Sequence, residues 1–208
     1  GGGGGGGGPG VGARSKRDVI LASSKPPAPG GPKPFAELAR RIARGSTVVF
    51  RSPGDVAKGS QPTAWLPLAR KGALLRIHGW LYLKDEWAKR HPIFEGMPSG
   101  GLMDYTYYRE IIPDLVWTGQ DPPAEAVAGA IKASQDYASG LMVAVYALGE
   151  GRFVLNTLRI RENLETHPAA ERLLRNMLRY AAHDAGKLPA ALPADFDTQL
   201  KAMGLQEP

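Results

Sequence analysis

The residues best suited to bind or convert a ligand lie in one short stretch rich in acidic, basic and aromatic side chains. Its candidates are two carboxylates, two tyrosine rings and one guanidinium: Asp104, Glu110, Tyr105, Tyr108 and Arg109. Sugar sites are commonly built from such groups, because aromatic faces stack on sugar CH groups and charged groups hold the hydroxyls. The same residue types dominate protein interfaces. The stretch therefore predicts a ligand or partner surface, and the sequence leaves open which.

Catalysis by this cluster would require a defined separation between its two carboxylates. Glycoside hydrolysis needs two carboxyl groups about 5–10 Å apart across a sugar, and Asp104 and Glu110 are joined by chain of no clear helical or strand period. The alternative is that the tyrosines are core or interface aromatics and that Arg109 and Glu110 form a surface ion pair. We expect the chain to be non-catalytic by itself.

Other polar residues lie at turns and strand ends. His91 precedes a proline in a turn, where it could bind a sugar, orient an acid or hydrogen-bond its own loop. Arg159, Arg161 and Glu162 follow an apolar segment, and ligands of open α/β sheets gather at strand ends. They could equally tie their loop to a neighbouring domain. No His, Asp and Glu set has metal-ligand spacing, so we expect neither a metal nor a cofactor.

The strongest structural signal is an apolar hairpin followed by an amphipathic helix. Residues 141–148 and 152–158 are β-prone, and the Gly-Glu-Gly sequence at 149–151 suits a tight turn. A helix is predicted to begin at Pro168, because a first helical position needs no N–H donor. Apolar residues then recur at spacings of three and four. This pattern puts Leu174 in the middle of a stripe that we expect to be buried.

The amino-terminal third predicts a strand, a helix and a second strand. Residues 18–22 and 47–50 are short and apolar, which is typical of buried strands. Phe35, Leu38 and Ile42 mark one face of a helix between them. Since a crossover helix joins parallel strands, these two strands are predicted to be parallel.

The middle of the chain carries weaker signals. Residues 73–77 fit a strand or the start of a helix, and residues 85–90 fit a single helical turn. Residues 115–117 are interpreted as a strand. The alanine-rich residues 124–138 fit a helix or a strand, and we favour a strand that forms a meander with the following hairpin.

Composition divides the chain of 208 residues into three parts. With 27 glycines and 18 prolines, many of them near the amino terminus, residues 1–16 are interpreted as a disordered Gly-rich tail or linker. Residues 17–183 are long enough for one α/β domain with its own core. Residues 184–208 are predicted to form a Pro-containing tail that packs loosely.

Charge and residue usage exclude several classes of function. The net charge is +6, but the basic residues are dispersed among 20 acids, so a nucleic-acid partner is not expected. No stretch approaches the roughly 20 apolar residues of a membrane helix, so we expect no membrane partner. The chain has no cysteine, which excludes disulfides, thiolate metal sites and a cysteine nucleophile.

Three longer strings suggest a family. Residues 91–98, 149–158 and 167–180 resemble the flavodoxin-like, class I glutamine-amidotransferase-like domain appended to some bacterial glycoside hydrolases. The relatives suggested are of the family 2 and β-galactosidase type and, more loosely, trehalose-utilisation-type domains. The resemblance covers residues 18–182. It implies a flavodoxin-like three-layer α/β sandwich, with a mostly parallel sheet, a carboxyl-terminal β-hairpin and a packing helix.

The chain departs from catalytic members of that superfamily. A working amidotransferase uses a cysteine activated by histidine, whereas here cysteine is missing and Ile93 and Ala169, not glutamate, follow the two His-Pro pairs. The resemblance therefore implies a non-catalytic accessory domain of a multidomain carbohydrate-active hydrolase. It would contact a neighbouring hydrolase domain or protomer, with saccharide as a further ligand, in a periplasmic or secreted protein. The alternative is a stand-alone sugar-binding protein or hydrolase that uses the cluster at 104–110.

Overall fold

The computed structural model describes most of the chain, namely residues 16–22, 32–77, 85–104, 106–107, 110–133 and 136–206. Three α-helices occur in these residues: α1 (Lys33–Ala43), α2 (Pro168–Ala181) and α3 (Phe196–Ala202). The strands are β1 (Val19–Leu21), β2 (Thr47–Val49), β3 (Lys71–Arg76), β4 (Asp85–Ala88), β5 (Gly101–Leu102), β6 (Leu115–Gln120), β7 (Glu125–Ala133), β8 (Tyr137–Leu148) and β9 (Gly151–Asn156). The predicted Gly-rich tail lies outside the described residues, except for Lys16.

The strands form one mixed sheet with the order β1-β2-β9-β8-β7-β4-β5, and β6 connects β3 to β8. The pairs β1–β2 and β2–β9 are parallel, which confirms the predicted crossover through α1. Every other pair is antiparallel. The predicted flavodoxin-like, mostly parallel sheet is therefore wrong. Connections of two or three residues join β7, β8 and β9, and a parallel connection needs about a dozen.

The predicted hairpin is confirmed between β8 and β9. Leu148 pairs with Gly151, and the two residues between them form the turn. Gly149 has a positive φ of 57°. A Cβ atom there would lie 2.5 Å from the Ala43 carbonyl oxygen at the end of α1. Glycine is thus required both by the turn and by the close approach of α1.

Helix α2 begins at Pro168, as predicted, and covers one face of the sheet. The Nδ1 atom of His167 caps the helix by accepting a hydrogen bond from the Ala169 N–H at 3.2 Å. Leu173 and Met177 are buried in a core cluster with residues of β7, β8 and β9. Leu174 is only partly buried, so the centre of the apolar stripe lies one position earlier than predicted.

Helices α1 and α3 cover the opposite face. Phe196 and Leu200 of α3 are buried in a second cluster that includes Phe50, Leu155 and Ile42. The expectation that residues 184–208 pack loosely is therefore wrong for this segment. A seven-residue helix between prolines is too short to show a clear apolar period, because it completes only about two turns.

The middle of the chain forms strands: β4 contradicts the prediction from sequence, β3 decides between its two alternatives, and β6 and β7 agree with it. Residues 85–90 were predicted to form a helical turn, but β4 pairs with β7 and β5, and these hydrogen bonds outweigh local propensity. Residues 71–76 form strand β3 rather than a helix. Strand β6 confirms the strand interpretation of residues 115–117. Strand β7 confirms it for residues 125–133 of the segment 124–138, whereas residues 137 and 138 already belong to β8. Among the described helices, none is long and apolar enough to cross a bilayer.

We predict that Leu173→Ala lowers the free energy of unfolding by about 2–5 kcal/mol, because it deletes a fully buried side chain beneath α2. Arg175→Ala, on the exposed side of the same helix, should change it by less than about 0.5 kcal/mol. Urea denaturation measures both. Equal losses in the two variants would contradict the observed orientation of α2.

Candidate functional site

Two described residues of the segment 104–110, Asp104 and Tyr107, form hydrogen bonds with backbone groups of their own loop. The Asp104 Oδ1 atom accepts a hydrogen bond from the Thr106 N–H at 2.9 Å. Tyr107 is fully buried, and its hydroxyl donates to the Pro98 carbonyl. Burial, together with the charge of Asp104, raises the pKa of Tyr107 to about 12. Glu110 is exposed. Three predicted site residues lie outside the described part of the chain: Tyr105, Tyr108 and Arg109.

The predicted residues after β9 lie on an exposed turn. Arg159, Arg161 and Glu162 are all exposed. The buried Asn163 side chain donates to the Glu110 carbonyl at 2.8 Å and to the Arg159 carbonyl at 2.7 Å. The structure therefore brings this turn and the end of the 104–110 segment together, through the Asn163 side chain and one backbone carbonyl of each.

Near this turn lies a buried carboxylate that the sequence analysis missed. The Asp55 Oδ2 atom accepts hydrogen bonds from the N–H groups of Arg51 (2.7 Å) and Ser52 (3.2 Å), while Oδ1 has no partner among the described residues. Burial raises the pKa of Asp55, although those N–H groups and the charges of Arg51 and Arg161 oppose the shift. The Ser-x-x-Asp spacing of a capping box could have indicated this position.

His91 both caps its own loop and holds an acid. Its Nδ1 atom accepts a hydrogen bond from the Ile93 N–H at 3.2 Å, and its Nε2 atom lies 2.8 Å from Glu125 Oε2. Because an ionised carboxylate only accepts hydrogen bonds, the ring proton lies on Nε2. His91 therefore plays two of the three roles that the sequence suggested: it hydrogen-bonds its own loop and it orients an acid.

The other oxygen of Glu125 is held from α2 and β9. The Tyr180 hydroxyl donates to Oε1 at 2.5 Å. Arg152 Nη1 donates to the Tyr180 hydroxyl oxygen at 3.0 Å and lies 3.6 Å from Oε1. We call the four side chains, His91, Glu125, Arg152 and Tyr180, the Glu125 tie. They come from a loop, β7, β9 and α2, so the tie joins the helix to the sheet.

Electrostatics favour the ionised form of Glu125. Partial burial raises its pKa, but hydrogen bonds from Tyr180 and His91, together with the charge of Arg152, outweigh that effect and leave the pKa below its usual value. Burial and the hydrogen bond to Glu125 raise the pKa of Tyr180 to about 12. At neutral pH the tie thus contains a carboxylate and a protonated phenol.

A cavity of about 310 Å³ opens beside the tie, but its charges are mixed. Arg152 and Arg179 line it together with Glu95 and Asp184. Because both signs are present, the cavity shows no clear preference for an anion or a cation.

Sheet register creates a different kind of site on the opposite face. Trp87 pairs with Gly129, which pairs with Leu141, which in turn pairs with Trp117. Residues opposite one another in neighbouring strands point to the same face, so these four form one row across β4, β7, β8 and β6. A Cβ atom at Gly129 would lie 2.6 Å from Trp87 Cζ2, which shows that the indole lies over the glycine.

The row borders a cleft of about 350 Å³, which we call the aromatic cleft. Its aromatic and polar lining residues are Trp87, Trp117, Tyr137, Tyr146, Thr118, Gln120, Asp121 and Ser139. Tyr137 is 73% exposed, whereas Tyr146 is buried and stacks on Phe153 at 5.1 Å. Burial and the charge of Asp121 raise the pKa of Tyr146 to about 12. The buried Trp117 Nε1 atom has no acceptor among the described residues.

Sequence reasoning missed most of both arrangements. It proposed His91 but none of its three partners, and no residue of the aromatic cleft. The four residues of the tie are spread over about ninety positions and share no spacing signal. The cleft depends on which strands pair, and hydrophobic alternation within one strand does not encode its partner.

Comparison with known proteins identifies no relative that could indicate the function of this chain. Models of known protein families give no match to the chain, and curated proteins give none either. Within the part of the chain that the structure describes, no three His, Asp or Glu side chains are grouped so that they could hold a metal ion. The Glu125 tie and the aromatic cleft are therefore the arrangements on which a functional interpretation can rest.

We predict that Glu125→Gln removes part of the acid sensitivity of the fold. Since the pKa of Glu125 is lower in the folded chain, the unfolded chain takes up the proton first as pH falls. This contribution to stability is complete above the usual carboxyl pKa and is lost as pH falls through the lowered one. The free energy of unfolding, measured by urea denaturation from about pH 6 to pH 3, should fall less steeply in the variant.

The matched control is Glu165→Gln, which changes an exposed glutamate outside the tie. It should keep the acid dependence of the unmodified chain. Identical slopes for the unmodified chain and Glu125→Gln would show that the tie does not hold the carboxylate as described.

We also predict that Gly129→Ala destabilises the sheet by about 1–3 kcal/mol, because the added methyl group meets both the Trp87 ring and the Gly140 carbonyl. Gly101→Ala is the control, since an added Cβ there has no neighbour within 4 Å. Denaturation followed by tryptophan fluorescence measures both. A loss of stability no larger at Gly129 than at Gly101 would contradict the position of the Trp87 ring.

Proposed function

We propose that this chain is a non-catalytic accessory domain of a multidomain carbohydrate-active hydrolase, in which it assists domain assembly or shapes the approach to a catalytic site on another domain. We base this on the resemblance of residues 91–98, 149–158 and 167–180 to the amidotransferase-like domain appended to glycoside hydrolases. The partner would be a neighbouring hydrolase domain or a second protomer. The flavodoxin-like sheet is not part of the proposal.

One observation carries the proposal: each of the three resembling strings contributes one side chain to the Glu125 tie. His91 comes from the first string, Arg152 from the second and Tyr180 from the third. A structural role is enough to explain these polar residues, because they fasten α2 and the 91–98 loop to the sheet. The strings that suggest the family therefore support a role as a rigid accessory domain rather than as an active site.

The chemistry of the tie agrees with a non-catalytic role. A general acid or base must exchange its proton with a substrate. In the tie, one oxygen of Glu125 is bound by His91 and the other by Tyr180, with Arg152 close by. Its pKa is also shifted away from neutral pH rather than toward it. A carboxylate with a lowered pKa is a poor proton donor, and each of its oxygens already accepts a hydrogen bond.

The alternative, a hydrolase or sugar-binding protein that uses the 104–110 cluster, is less well supported. Asp104 accepts a hydrogen bond from its own turn. Tyr107 is buried, with its hydroxyl on the Pro98 carbonyl. These contacts hold Asp104 and Tyr107 within their own loop. Glu110 is exposed, and the other three residues of the cluster lie outside the described part of the chain.

An activity assay tests the non-catalytic role. The full chain should hydrolyse neither glutamine nor 4-nitrophenyl glycosides above background. The same assay is run on Glu110→Gln and Glu125→Gln, with Glu165→Gln as the matched exposed control. Turnover that either of the first two variants abolishes, while circular dichroism shows an intact fold and the control keeps activity, would overturn the proposal.

The accessory role is tested directly by sequencing the transcript that encodes the chain, upstream and downstream of the coding region for residues 1–208. We expect a carbohydrate-active catalytic domain in the same reading frame or in an adjacent one. That domain, produced alone and with this chain, should differ in stability or in KM for its glycoside. A neighbourhood without any such enzyme would decide against the proposal, whatever the activity assay shows.

A further inference from the structure

We propose that the aromatic cleft is a binding site for the ring of a neutral saccharide. This goes beyond the accessory role, because it depends only on the cleft and names a ligand that the Glu125 tie does not require. The cleft lies on the face of the sheet that carries Trp117 and Tyr146, whereas α2 and the tie lie on the other face.

The first argument is the arrangement of the aromatic rings. Gly129 lets the Trp87 indole lie close to the sheet, beside Leu141 and Trp117 in the same row. Tyr137 lines the cleft with 73% of its surface exposed, and Trp87 is partly exposed, whereas Trp117 and Tyr146 are buried. Sugar CH groups pack on accessible aromatic faces, so the Tyr137 and Trp87 rings suit a pyranose.

The second argument is the polar groups that accompany the rings. Asp121, Ser139 and Thr118 line the same cleft with a carboxylate and two hydroxyl groups that can bond sugar hydroxyls. The Gln120 amide also lines it, but its NH2 group donates to the Lys71 and Ala73 carbonyls, both at 3.0 Å. Trp117 also lines the cleft, but its Nε1 atom is buried, so the polar argument depends on the carboxylate and the two hydroxyl groups.

The third argument concerns charge and size. Among the described residues that line the cleft, Asp121 is the one charged residue, and none is a lysine, arginine or histidine. The Arg70 backbone N–H donates to Asp121 Oδ2 at 2.9 Å, and the Arg70 Nε atom, 3.8 Å from Oδ1, partly balances the charge. The described lining therefore favours a neutral ligand over an anion. A volume of about 350 Å³ lies at the small end of ligand pockets, which suits one or two sugar rings.

The experiment is a titration of the full chain with methyl β-D-galactopyranoside and methyl β-D-glucopyranoside, with D-glucuronate as the anionic comparison. Calorimetry should give millimolar binding of at least one neutral sugar and weaker binding of glucuronate. Tryptophan fluorescence should change with the same affinity, because Trp87 and Trp117 line the cleft. Saturation-transfer NMR then identifies the sugar protons that lie against the rings.

Matched variants locate the binding. Tyr137→Ala should weaken it about five- to tenfold, since one stacking face is lost, while Tyr137→Phe should retain it. Asp121→Asn should reduce the ratio of the affinity for the neutral sugar to the affinity for glucuronate, because it removes a negative charge that repels the anion. Leu188→Ala is the control, because it removes another exposed apolar side chain, 60% exposed and outside the residues that line the cleft. Each variant is checked for unchanged thermal unfolding.

Three outcomes would overturn the inference. They are no binding of either neutral sugar up to about 50 mM, binding that Tyr137→Ala leaves unchanged, and concentration-dependent self-association lost in Tyr137→Ala without sugar binding. The last would identify the face as a protein-docking surface. None of these outcomes affects the accessory role, which is decided by the activity assay and by the neighbouring catalytic domain.

Discussion

The fold depends on the hydrogen bonding of one long strand, β8. Along its carboxyl-terminal half it pairs with β9, along nearly its whole length it pairs with β7, and at Leu141 it meets β6. It therefore joins the parallel strands β1, β2 and β9 to the antiparallel remainder of the sheet. A strand that is paired on both sides is shielded from water, and most of its central residues are fully buried. Both cores pack against it.

The Glu125 tie lies at the carboxyl-terminal end of β8. Glu125 pairs with Val145 and Arg152 pairs with Ala147, so the two charged residues flank the same strand. Helix α2 places Tyr180 above them, and the turn before β5 brings His91 to the same point. Hydrogen bonds in which one partner is charged are stronger than those between neutral groups, and they are directional. The tie thus fixes the position of the helix, for which apolar packing alone is less specific.

The aromatic cleft lies toward the other end of β8 and on its other face. Here Gly129 allows the Trp87 indole to lie close to the backbone of the sheet. The absence of a side chain at Gly129 is what opens room for that ring. Strand β8 therefore supports the Glu125 tie on one face and the aromatic cleft on the other, so the structural role and the proposed ligand site lie on opposite faces of the sheet.

The sequence by itself determined the features that depend on neighbouring residues: the turn at Gly149, the start of α2 at Pro168 and the strand-helix-strand unit with its parallel pair. These signals are local, because turn geometry, helix capping and amphipathic periods are set within a few residues. Only the tertiary structure decided the antiparallel character of the sheet, the burial of α3, the partners of His91 and the row from Trp87 to Trp117. Those features depend on which distant strands share hydrogen bonds and in what register, and alternating hydrophobicity specifies the face of a strand but not its neighbour.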